Sequence, residues 1–177
     1  SPTQSESFWE TIQSGSAAQW CGRIRLYAGI VEKMAFYHNL ETKQVQAYKE
    51  NPLFECFDFA VKTLNIILQQ QLPTQFNEDE VLLLVEYSLQ LLNSCLSFDY
   101  CLLQNDSVES KIYLPNAWSL DKKLHLYETV DCLFQLYQTS PPNLQGEFLK
   151  VILLFASIHN DTQSKVIPDR LQYANPF

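Results

Sequence analysis

The side chains able to do covalent or metal chemistry here are few: three histidines (His38, His125, His159) and five cysteines (Cys21, Cys56, Cys95, Cys101, Cys132). His38 and His159 fall at the ends of helical patterns and His125 in a polar first turn. No Cys-His spacing resembles a zinc site, and His-x3-His and His-Glu-x-x-His are both absent. A Cys-His pair brought together by folding, as in a cysteine-dependent hydrolase, is the one nucleophilic reading left. Against it, the cysteines are odd in number, lack regular spacing and sit mostly inside apolar helical pattern, where cysteine behaves as a small hydrophobe. Reduced, structural thiols are the expectation. No glycine-rich phosphate loop occurs either. Gly22 and Gly29 in "CGRIRLYAG" lie mid-helix and are expected to permit close helix packing. No catalytic residue, metal or cofactor is expected.

A different kind of chemistry, recognition, is suggested by polar residues that share a helix face. Glu86, Gln90, Asn93 and Ser97 follow four-three-four spacing and lie on one side of their helix. Glu147 and Lys150 stand on a later helix. Glu78, Asp79 and Glu80 read instead as an acidic first turn, favoured by the helix dipole.

The elements that carry these residues are helices. The chain has 177 residues, enough for one substantial core, with 46% hydrophobic residues and only four glycines. Apolar residues recur at three- and four-residue steps, as at Trp20, Ile24, Tyr27, Ile30, Val31 and Met34. A short helix is expected in "SESFWETIQSG", closed by Gly15, and a longer one from Ser16 to His38. "ETKQVQAYKE" is a polar helical lead-in. Pro52 suits the first turn of "PLFECFDFAVKTLNIILQQQ", which Pro73 ends. Asn77 caps the next helix, through "SCLSF". Leu120 to Ser140 and "LQGEFLKVILLFASIH", capped by Asn143, complete the set. Phe54, Phe57, Phe59, Phe134, Tyr137 and Phe155 lie at helical spacing and are expected in the core.

Net charge is −8, with twelve scattered basic residues and no basic face, so nucleic acid is not an expected partner. No apolar run approaches the 18 or more residues of a membrane span, so membrane insertion is not expected. The only methionine is Met34, and the chain is read as a piece of a longer one. Helices in antiparallel pairs, with a period of about 45 residues once the polar loop is set aside, predict an all-α fold. The expected arrangement is an α-solenoid of about three to four HEAT-like hairpins over residues 1–177, with a surface loop at 99–118.

Four stretches, "NPLFECFDFAVKTL", "LLNSCLSFDY", "IYLPNAW" and "CLFQLYQTSPPNLQGEFLKVILLFASIHN", occur in the order and at the distances of the N-terminal third of exportins. Over Ser16 to Asn160 the chain resembles this importin-β (karyopherin) family, closest to the branch of exportin seven and exportin four. It departs at Ser119, where the family often has arginine after the tryptophan. The resemblance implies a nuclear transport receptor that is not an enzyme. Such a receptor binds Ran GTPase in its GTP form together with protein cargo, contacts Phe-Gly nucleoporins, and shuttles between nucleus and cytoplasm. It also implies that Glu86, Gln90, Asn93, Glu147 and Lys150 line the concave groove and face a partner. "IYLPNAW" would return the polar loop to the stack. Pro115 restricts Leu114 to extended geometry, and Tyr113 and Trp118 bury aromatic area as an anchor. The alternative is another HEAT or armadillo scaffold, or a regulatory subunit of a protein complex.

Overall fold

A computed structural model describes residues 16–36, 44, 47, 48, 50–72, 76–97, 112, 114, 115, 118 and 125–158. Five helices organise them: α1 (Ala17–Phe36), α2 (Pro52–Leu68), α3 (Glu78–Leu96), α4 (Leu126–Thr139) and α5 (Pro142–Ala156). The fold of the described residues is all-α. The expected helix before Gly15, the loop over 99–111, Tyr113, Ser119, Cys101, His38 and His159 lie outside them.

Local chemistry sets the helix ends. At α3 the Asn77 side chain accepts from the Glu80 N–H at 2.9 Å, and the Glu80 carboxylate accepts from the Asn77 N–H at 3.0 Å. This reciprocal capping box satisfies two otherwise orphaned donors. α2 starts at Pro52 but ends at Leu68, short of the expected Gln71. Gln70 takes a left-handed φ of 54°. Its N–H donates to Ile67 O at 3.1 Å, and that of Gln71 to Ile66 O at 3.0 Å. These paired bonds are a Schellman closure, with glutamine where glycine is usual. α5 also differs from expectation. It begins at Pro142 with Pro141 as its cap, so Asn143 is an exposed first-turn residue and not the cap. Proline needs no N–H there, and its fixed φ is already helical.

The helices pack as hairpins and then as neighbours. α2 packs on α3, and α4 on α5; across these pairs α3 packs on α5 and α2 on α4, while α1 packs chiefly on α3. Along α1, the thiol of Cys21 lies within electrostatic reach of Glu80, and further on the Arg25 guanidinium covers the Tyr87 ring at 5.3 Å. Residue number rises together on both helices, so α1 and α3 run the same way. α1, α3 and α5 begin at residues 17, 78 and 142, and the second interval includes the polar loop that the expected period of about 45 residues sets aside.

One core joins all five helices, with Trp20, Ile24, Leu53, Leu64, Leu84, Leu89, Leu92, Leu133 and Phe148 deep inside it. The polar end of Trp20 is satisfied there: its Nε1–H donates to Thr63 Oγ1 at 3.2 Å, and the Thr63 hydroxyl donates to Phe59 O at 2.8 Å. A buried indole N–H without an acceptor would be costly, which explains a threonine in an apolar seam. Several expectations are corrected. Phe134 is 45% exposed and Ile30 41%, because each lies at the edge of its helix's apolar stripe. A Cβ added at Gly22 or Gly29 would meet nothing within 4 Å, so neither glycine serves close packing.

Candidate functional site

Two groups of residues stand apart from the general core, one outward and polar, one inward and aromatic. The outward group begins on α3. Its inner face is Leu84, Ser88, Leu91, Leu92 and Cys95, all buried, so residues half a turn away must face out. Gln90 and Ser97 are exposed, and Glu86 and Asn93 half-buried, on that outward face. The Ser97 hydroxyl donates to Asn93 Oδ1 at 2.9 Å, which leaves the Asn93 amide N–H groups as the donors free to turn outward. Leu83 adds an exposed apolar position to the same stripe. On α5, Lys150 Nζ donates to Glu147 Oε1 at 2.9 Å across one helical turn. The two charges partly neutralise each other, as exposed pairs at this spacing do. Glu86, Gln90, Asn93 and Ser97 therefore share one face, while Glu147 and Lys150 form a separate pair on α5. This is a surface of mixed donors and acceptors with no dominant sign of charge.

The inward group is the segment after the polar loop. Ile112 donates its N–H to Ser157 O at 2.8 Å and makes a parallel bridge with Ile158, tying this segment to the end of α5. Leu114 is buried and Pro115 half-buried. The Trp118 N–H donates to Pro115 O at 3.0 Å, turning the chain inward. Trp118 is 0% exposed, with the Phe54 and Phe57 rings of α2 each 5.3 Å from it; Phe57 in turn lies 6.0 Å from Phe155 of α5. The indole thus packs on two rings of α2, one of which carries the contact on to α5.

The reactive side chains occupy less promising ground. Burial pushes the Cys56 and Cys132 thiols up to about 11, with Glu55 and Asp131 adding to the effect. Cys95, wholly buried, is raised well above the ordinary range by desolvation and by Cys56, and Cys21 is raised by burial and Glu80. All four are protonated at neutral pH and so are weak nucleophiles and weak ligands. His125 precedes α4 as its N-cap residue and lies 3.8 Å from Glu128, both well exposed. Among the described residues no group of three or more His, Cys, Asp or Glu side chains could hold a metal ion. Among them, too, no helix is long and apolar enough to cross a membrane.

Sequence reasoning missed the Arg25–Tyr87 pair beside the α3 stripe. It also missed the exposed apolar pairs Leu26 with Ile30 on α1 and Leu149 with Leu153 on α5. Their four-residue spacing was a usable signal, since such pairs share a helix face. No protein-family model, curated protein or solved structure matches this chain.

Proposed function

We propose that this chain is part of a nuclear export receptor, built as an α-solenoid of HEAT-like hairpins. The observation that carries the architecture is the pattern of helix neighbours: α1, α3 and α5 pack like on like, as do α2 and α4, and each hairpin meets the next. Stacked repeats contact their immediate neighbours in this way. The order of the four exportin-like stretches supports the functional half of the reading. In it, Trp118 is the wedge between successive hairpins, and Pro115 steers the chain towards it.

In this reading the receptor binds Ran GTPase in its GTP form together with protein cargo, touches Phe-Gly nucleoporins, and moves between nucleus and cytoplasm. It catalyses nothing itself and uses no cofactor. The outward stripe of Glu86, Gln90 and Asn93, with Glu147 and Lys150, supplies hydrogen-bonding contacts on the concave side. The test is capture of the longer parent protein on Ran locked in its GTP or GDP state. GTP-selective capture supports the proposal. No capture in either state sinks it and leaves a HEAT or armadillo scaffold, or a regulatory subunit, as the reading.

A further inference from the structure

We draw no further inference here: the strongest candidate, the side-chain cluster of Cys56 on α2, Cys95 on α3 and the Tyr48 ring packed against the core beside them, rests only on upward pKa shifts set first by burial and then by the neighbouring thiols.

Discussion

Replacing Trp118 by alanine probes the join between hairpins most directly. The side chain is wholly buried and has aromatic neighbours on α2, one of which continues the contact to α5. Removing it leaves a cavity beside the Phe54 and Phe57 rings, so the large-to-small cost usual for a buried tryptophan, about 3–5 kcal/mol, is expected. Within that figure, the two ring contacts to Phe54 and Phe57 account for about 0.5–1.5 kcal/mol each. Against a usual domain stability of about 5–15 kcal/mol, this is a large fraction. With a urea slope of about 2 kcal/mol per molar, the unfolding midpoint is expected to fall by about 1.5–2.5 M with the slope unchanged. Trp118→Phe keeps one ring in the site and is expected to recover part of the loss. A midpoint for Trp118→Ala within experimental error of the parent would refute the anchor argument, because no buried indole can be deleted at no cost.

Other expectations follow from single contacts. Asn77→Ala removes one side of the capping box and is expected to cost about 1 kcal/mol, read as a lower melting temperature. Gln70→Gly is expected to stabilise by up to about 1 kcal/mol: relief of about 1–2 kcal/mol of left-handed strain exceeds the roughly 0.4–1 kcal/mol of added unfolded-chain freedom. No rise in urea midpoint would remove the strain argument. Thr63→Val keeps the shape but strips the acceptor from the buried Trp20 N–H, for an expected loss of about 1–3 kcal/mol by chemical denaturation. The thiols predict an alkaline limit. Folded Cys132 titrates near 11, above its ordinary 9.0, so between these pH values the native state holds more protons than the unfolded chain. Its contribution is intact below pH 9 and lost as pH rises through the folded value. The parent should therefore lose melting temperature across that window faster than Cys132→Ala, and parallel curves would contradict the assignment. A thiol reagent should meet Cys21 before Cys95.

Helix starts were legible because their signals are local. Pro52 and Asn77 act within a turn of themselves, and the structure places α2 and α3 where those residues put them. Stops were less legible. Gln70 closes α2 through backbone bonds that need a left-handed φ, and glutamine gives no sign of adopting one. The aromatic list failed at Phe134 for another reason: periodicity locates an apolar stripe, but the width of that stripe actually covered depends on the neighbour. Gly22 and Gly29 were assigned to close packing, yet they lie on a part of α1 with open space around it.

The same limit explains the surface. The Glu86, Gln90, Asn93 and Ser97 face was readable because polar residues every turn can lie together only on one side of a helix. Whether a leucine pair is core or surface is not written in its own helix. α3 has α1 on one flank, α5 on the other and α2 behind it, and of its many leucines only Leu83 is strongly exposed. α1 and α5 have comparable apolar residues, but each has a neighbour of its own layer on one flank among the described residues. Leu26 and Ile30 lie on the flank of α1 away from α3, and Leu149 and Leu153 across α5 from its core face, and all four are exposed. Identical residue types are thus buried where a neighbouring helix covers them and exposed where no described helix does. Exposure here follows from which side of each helix its neighbours cover and not from the character of the helix.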